Sequence, residues 1–295
     1  MKALRIRIDI IGAGQVVRGF LKNKNPGVDI RVYVRQSQET STPFVRPIRT
    51  FEPSDRILVL CASTDEESIL KTANSQARTA VAQENLAILN DLIQRGIFEN
   101  QIVFVLTNPS EIIAEFLYRH SKNKRIFALG LNTDQNRYSE ILKQPDFSHL
   151  SSNFSVSGNH YAFPYPVFNP PISKSDEDTT IKSLNSVLQT KIRSEFKGYR
   201  PPVESGVSAL KGLVQSLVTK QTLSVSGYCD ELDCFSGGLM DFNSFTFSPS
   251  LGNSSSSKAR IQSIAKNHRD SYFTITSAKY LRNQYENSNH ILASQ

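Results

Sequence analysis

The sequence is short of cysteine, of long apolar runs and of any regular repeat, and each shortage removes a class of protein. Three cysteines, Cys61, Cys229 and Cys234, make no even disulfide framework, which fits a reducing, cytoplasmic setting. Cys229 and Cys234 have no second cysteine pair and no obvious histidine to complete a zinc site, so no metal is expected. No stretch approaches the ~20 apolar residues of a membrane-spanning helix, so no membrane partner is expected. The first residues, MKALRIRIDIIGAG, place charges where a signal peptide needs an apolar centre, so secretion by such a signal is not expected. No fixed period marks a solenoid or propeller. Hydrophobic residues make up only 39% of the chain, yet 17 Phe and 10 Tyr supply bulky core material and argue against general disorder.

What is present begins with charge. The 295 residues carry 34 Lys and Arg against 27 Asp and Glu, a formal net charge of +7. That length suits one large or two medium domains. Residues 1–60 hold 11 of the basic and 5 of the acidic residues, so nearly all the excess lies there. A basic first segment fits nucleic acid, an anionic cofactor or solubility alone. Zinc-finger spacing and a basic–aromatic platform are both missing, so nucleic acid is not the expected partner.

The first 145 residues alternate between strand and helix patterns. Ile6, Ile8, Ile10 and Ile11 form a β-rich run that stops at Gly12. Val28–Val34, Ile57–Cys61, Ile102–Leu106 and Ile126–Leu129 are further strand-length apolar runs, as in a parallel sheet covered on both faces. Leu86, Leu89, Leu92 and Ile93 share a helical face, which Gly96 can end. Ser110 reads as the N-cap of a helix carrying Ile112, Ile113, Phe116 and Leu117. This alternation predicts a doubly wound α/β sheet. After residue 145 the pattern becomes α+β: helices near 179–196 and 207–218, antiparallel strands near 223–228 and 238–247, and a terminal helix at 258–267 or 277–286. The four-serine run 254–257 reads as a flexible surface loop.

Two positions suggest a bound anion. Gly12-Ala13-Gly14-Gln15-Val16-Val17 directly follows the first strand. Gly12 permits a tight turn, Gly14 lets a pyrophosphate approach the backbone, and the next helix offers its N-terminus. The third small position is Val17, which implies looser or rearranged strand–helix packing. Read alone, the pattern also fits a simple turn. The second strand ends at Arg35, where NAD-binding sheets usually place an acid. Arg35 suits the extra phosphate of NADP, or is a solvated strand-end cation. Ser37 offers a nearby hydroxyl.

Four further segments form an ordered set: Gln76-Ala77-Arg78, Thr107-Asn108-Pro109, Asn132-Thr133-Asp134-Gln135-Asn136-Arg137 and Gly158-Asn159-His160. Singly, each has a structural explanation: a loop cation, a turn, a helix cap, a core histidine. Together with GAGQVV, and with His160 23 residues after Arg137, they resemble the lactate/malate dehydrogenase family. The resemblance runs from about residue 4 to residue 168 and weakens beyond. It implies a Rossmann-type doubly wound parallel sheet followed by an α+β catalytic domain. Residues 1–145 would bind the dinucleotide and residues 146–295 the substrate.

By the same resemblance, the activity is hydride transfer between NADP or NAD, with NADP favoured by Arg35, and a small 2-oxo/2-hydroxy acid. His160 would be the acid/base. Asp134 would fix its tautomer and favour the imidazolium. Arg137 would hold the substrate carboxylate, and Arg78, on a loop that closes, would polarise the carbonyl. Asn108 would contact the substrate oxygen or the nicotinamide side, Asn132 would help position the site at its backbone turn, and both, with Gly12, Gly14, Gln15, Val16, Arg35 and Ser37, would contact the cofactor. The 63–78 loop is longer than the family's, and no Arg stands at Thr72, so dicarboxylate preference is not supported. Pro43, Pro47 and Pro53 argue against the interface helix that the family fits between residues 35 and 58, so the family's usual dimer is not supported and a homo-oligomer is left open. Glu204 lies in a segment that approaches the family's substrate. The competing reading is a non-catalytic dinucleotide-binding protein of dehydrogenase descent.

Overall fold

A computed structural model describes residues 6–22, 27–34, 45–62, 77–160, 164–173, 175–195 and 203–277. The side chains of residues 77, 78 and 91 are not among those described.

Six strands run parallel: β1 (Ile6–Ile11), β2 (Val28–Val34), β3 (Val45–Pro47), β4 (Ile57–Leu60), β5 (Val103–Val105) and β6 (Ile126–Ala128). Their spatial order, 3-2-1-4-5-6, is that of a doubly wound dinucleotide-binding sheet. Strands β9 (Thr222–Cys229), β10 (Cys234–Asp241) and β11 (Thr246–Pro249) extend the same sheet to nine strands. β9 joins β6 antiparallel through Ala128 and Ser226. β7 (Phe154–Ser157) and β8 (Tyr165–Phe168) form a separate antiparallel pair.

The apolar runs are continuous because both sheet faces are covered. Side chains alternate across a strand. Leu58, Leu60, Val103, Val105, Ile126 and Ala128 therefore face one core, shared with α2 (Ala77–Gln94), α3 (Ser110–Ser121) and α7 (Ser255–Thr276). Val59, Phe104 and Phe127 face the opposite core, shared with α1 (Gln15–Leu21) and α6 (Val203–Thr219). Each fully buried leucine there, such as Leu213, contributes roughly 1.5–3 kcal/mol. A third core lies under α4 (Gly130–Ile141), α5 (Glu177–Glu195) and the β7–β8 pair. No helix among the described residues is long and apolar enough to cross a membrane.

Several local expectations need correction. Ser254–Ser257 is not a flexible loop. Ser254 Oγ accepts from the Ser257 N–H and Ser257 Oγ from the Ser254 N–H, a capping box that starts α7. α7 is one helix running to Thr276, longer than 258–267, and residues from 278 onward lie outside the described set. Ser110 is the first helical residue of α3, not its cap; its hydroxyl donates to Glu111 instead, with Pro109 at the cap position. The strand expected at 238–247 is the end of β10, a turn with Phe245 at φ +55°, and the start of β11. Val17 does not loosen the packing of α1; it is fully buried among Ile8, Ile10 and Val32. β3 was not expected at all. As the proline content suggested, the described stretch 45–62 holds no long helix, only β3, a short 3-10 turn (Ile48–Thr50) and β4.

Part of the early basic charge serves the sheet itself. Arg56 is buried at the N-terminal edge of the parallel strands. It donates to Asp9 at 2.6 Å, to the Asp29 carboxylate at 2.7 Å and to the Ile8 carbonyl at 3.0 Å. Burial pushes the Asp9 carboxyl above its ordinary range and outweighs the opposing pull of Arg56. The C-terminal edge of the same strands is where this sheet type binds ligands.

Candidate active site

The turn after β1 is built for close approach. Gly12 has φ +111°, and a Cβ there would lie 2.6 Å from the Ala62 nitrogen and 2.7 Å from the Cys61 carbonyl carbon. Only glycine lets β1 and β4 meet this tightly at that edge. Gly14 is different: its backbone is extended, and a Cβ there would meet nothing within 4 Å. The space before α1 is therefore open, and the helix's first turn contains no acid. Gln15 is exposed on that turn, whereas Val16 packs its side chain over Gly206 of α6 and offers only its backbone. Arg18 donates from Nε to the Ala13 carbonyl at 3.0 Å, which places a cation beside the turn. Arg35 and Ser37 lie outside the described residues.

The next strand end, after β5, carries Asn108. Its carbonyl accepts from Asn85 Nδ2 at 2.5 Å, which pins α2 to this loop. The α2 backbone brings Arg78 two turns before Asn85, about 10 Å along the axis. Its side chain lies outside the described set. Thr107 closes the same corner by donating to the Ala62 carbonyl at 2.6 Å.

After β6 the chain turns straight into α4, whose first two turns present Asn132, Asp134 and Arg137. Asp134 sits inside the helix rather than capping it, and its side chain is 1% exposed. Its two oxygens are used separately. Oδ1 accepts from Arg137 Nη1 at 2.9 Å, and Oδ2 lies 2.6 Å from His160 Nδ1. With the carboxylate as acceptor, Nδ1 carries the proton and Nε2 is left to face chemistry. His160 reaches this place from the turn after β7, and its side chain keeps 30% exposure. Burial lowers the imidazole's proton affinity, but the charge and hydrogen bond of Asp134, with Glu111 beyond, outweigh it and hold the pKa above its ordinary value. Gly130 makes room, since a Cβ there would lie 2.7 Å from the His160 Cβ and 2.6 Å from Ser110 Oγ.

Two acids that the sequence reading missed complete the site. Glu111, fully buried on α3, accepts from the His160 backbone N–H at 3.0 Å and from Ser226 Oγ at 3.2 Å. It was legible only as a first-turn acid. Glu195, the last residue of α5, holds Arg137: Oε2 accepts from Nη2 at 2.5 Å, and both oxygens lie 3.2 Å from Nε. Ser205 Oγ donates to the same carboxylate at 3.0 Å. Burial raises the Glu195 carboxyl's pKa, but Arg137 and Ser205 more than offset this and leave it below its ordinary value. Glu195 is 58 residues from Arg137, and no local pattern marks it. Glu204, singled out from the sequence, is exposed at the start of α6.

The residues fit a dinucleotide in two respects. Space is open over Gly14, and Asn132 Oδ1 is buried with no hydrogen-bond partner among the described residues. A buried acceptor of that kind is costly unless some group satisfies it. Among the described residues, no cluster of three His, Cys, Asp or Glu side chains is arranged to hold a metal.

No protein-family model matches the chain, and no curated protein matches it. Solved structures do. A malate dehydrogenase from Archaeoglobus fulgidus in complex with NADH superposes with a TM-score of 0.67 at 15% identity, covering 92% of this chain and 99% of that one. A lactate dehydrogenase from a Medee basin deep-sea metagenome library gives 0.67 at 13% identity, covering 93% of this chain and 100% of that one. At such identities the likeness establishes the fold: this chain is folded as lactate and malate dehydrogenases are.

Proposed function

We propose that the chain is an oxidoreductase that moves a hydride between a nicotinamide dinucleotide and a small 2-oxo/2-hydroxy acid. The observation that carries this reading is the contact of His160 with the buried Asp134 carboxylate at 2.6 Å, on the same sheet edge as the Gly12–Gly14 turn. A binding module has no need of an imidazole whose proton affinity is raised by a buried carboxylate.

In this reading residues 1–145 hold the dinucleotide and residues 146–295 supply the substrate side. Gly12, Gly14 and the backbone of Gln15 and Val16 take the pyrophosphate, with Asn108 and Asn132 toward the nicotinamide. The bound cofactor supplies or accepts the hydride. His160 donates its Nε2 proton to the substrate oxygen during reduction and takes it back during oxidation. Asp134 stabilises the imidazolium and fixes its tautomer. Arg137 orients the substrate carboxylate, and Arg78 supplies a further cation at the oxygen. Arg35 and Ser37 favour NADP(H) over NAD(H).

The alternative, dinucleotide binding without turnover, draws support from one observation: Arg137 is already held by Glu195. A reduced-cofactor oxidation assay over 2-oxo acids with varied side chains, with NADH and NADPH in parallel, separates the two. The expected result is turnover with at least one acid, higher with NADPH. His160→Asn should keep cofactor binding and lose about 10²–10⁴ in rate. Full activity in that variant refutes the assignment, and cofactor binding without any oxidation favours the alternative.

A further inference from the structure

Arg137 does not wait empty. A guanidinium recognises a carboxylate through parallel N–H donors along one edge, and Glu195 takes that edge at 2.5 and 3.2 Å. Asp134 takes Nη1 on the far side. Ser205 steadies the arrangement from α6. Asp134 and Glu195 both hold the guanidinium, Asp134 also holds the imidazole, and Glu111 takes the His160 backbone N–H, so three acidic side chains surround these two groups. A substrate carboxylate added to this set meets excess negative charge and a filled fork.

Unequal burial tells which acid yields. Asp134 is 1% exposed and engaged at both oxygens by residues of its own site. Glu195 is 23% exposed, so its carboxylate returns to water at less cost than that of Asp134. We propose that Glu195 is a specificity-determining residue: an internal carboxylate that competes with the substrate for Arg137, so that a 2-oxo acid binds by displacing it. The proposal rests on the reading of Arg137 as the substrate clamp. Glu195 thereby raises the concentration at which any simple 2-oxo acid saturates the site. It favours substrates whose remaining contacts repay the exchange.

The test compares wild type, Glu195→Gln and Glu195→Ala in the full chain saturated with NADPH or NADH. Two readouts are taken. One is binding of oxamate, an unreactive isostere of a 2-oxo acid, by calorimetry. The other is KM and kcat for the best 2-oxo acid. Gln keeps the volume and one acceptor but not the charge, so both variants should bind oxamate at least tenfold more tightly, and kcat/KM should rise mainly through KM. A purely structural Glu195 would instead lower thermal stability and weaken oxamate binding. Unchanged or weaker binding in both variants, with wild type still turning over a 2-oxo acid, overturns the proposal and leaves the proposed function standing. Absence of oxamate binding and of turnover in all three proteins overturns the proposed function and this inference with it.

Discussion

Asp134→Asn is the most informative single change, because one buried side chain serves two donors. The carboxylate accepts from Arg137 through Oδ1 and from His160 through Oδ2. An amide of the same shape has one acceptor and one donor end. If its oxygen faces Arg137, its NH2 faces His160 Nδ1, which must then give up its proton and act as acceptor. The imidazolium loses its partner, and the neutral ring is held in the opposite tautomer. If the amide turns the other way, two donors confront each other at Arg137. Leaving one buried group unpaired costs about 1–3 kcal/mol of stability, and Glu195 still holds the guanidinium. The fold should therefore survive, with a lowered midpoint in urea.

The catalytic loss should be far larger, on the order of 10²–10⁴ in kcat for reduction, the usual worth of a positioned acid. The pH profile supplies a second check. In the proposed function reduction needs charged His160, so its rate should be full below the residue's pKa and fall as pH rises through it. Burial opposes the charged ring, and Asp134 is the main group that holds its pKa up. In Asp134→Asn the alkaline limb should move to lower pH. A variant that keeps reduction within threefold, with the limb unmoved, would refute the role given to Asp134.

Further predictions concern the glycine turn after β1 and the buried Glu115 carboxylate. Gly12→Ala must fit a Cβ at positive φ against the Ala62 nitrogen, so it should destabilise the protein by more than about 1 kcal/mol in urea titration. Gly14→Ala enters open space, so stability should fall by about 1 kcal/mol or less. Fluorescence titration should nevertheless show at least tenfold weaker cofactor binding; unchanged affinity would remove the pyrophosphate from this turn. On α3, Glu115 is fully buried 2.7 Å from His268 and also accepts from Arg119 Nε at 2.8 Å. Glu115→Gln should cost about 3–5 kcal/mol. Burial pushes the Glu115 carboxyl up, but His268 and Arg119 together hold it below its ordinary value. Its stabilisation is therefore complete above pH 4.5 and lost as pH falls through the lower folded value. Melting temperatures of Glu115→Gln should fall less steeply below pH 4.5 than those of wild type.

The parallel strands could be read from the sequence because each is a short apolar run with both faces buried, so periodicity and composition agree. Gly12 was legible for a similar reason, since a glycine directly after the first strand has a local steric job. His160 and Asp134, 26 residues apart, came together only through the resemblance; their separate segments carry no local signal of contact. Glu195 and Glu111 stayed hidden because their partners are set by how α5 and α3 pack, not by spacing along either helix. The serine run misled because the same small hydroxyl residues suit both a solvated loop and a helix cap. The basic excess of the first 60 residues changed meaning as well. Arg56 is spent inside the sheet edge, and Arg7 pairs with Asp55 on the surface. Among the described residues Arg18 is the early cation that stands beside the glycine turn after β1.

The central claim is that this site transfers a hydride to the carbonyl carbon of a 2-oxo acid under proton control by His160. Reduced cofactor carrying deuterium at nicotinamide C4 tests it most directly. Incubation with the best 2-oxo acid, followed by mass spectrometry and NMR of the product, should place deuterium on the carbon bearing the new hydroxyl. His160→Asn should leave the acid unlabelled on the same timescale. Cofactor that binds but leaves every 2-oxo acid unlabelled, or label transfer undiminished in His160→Asn, would contradict the account.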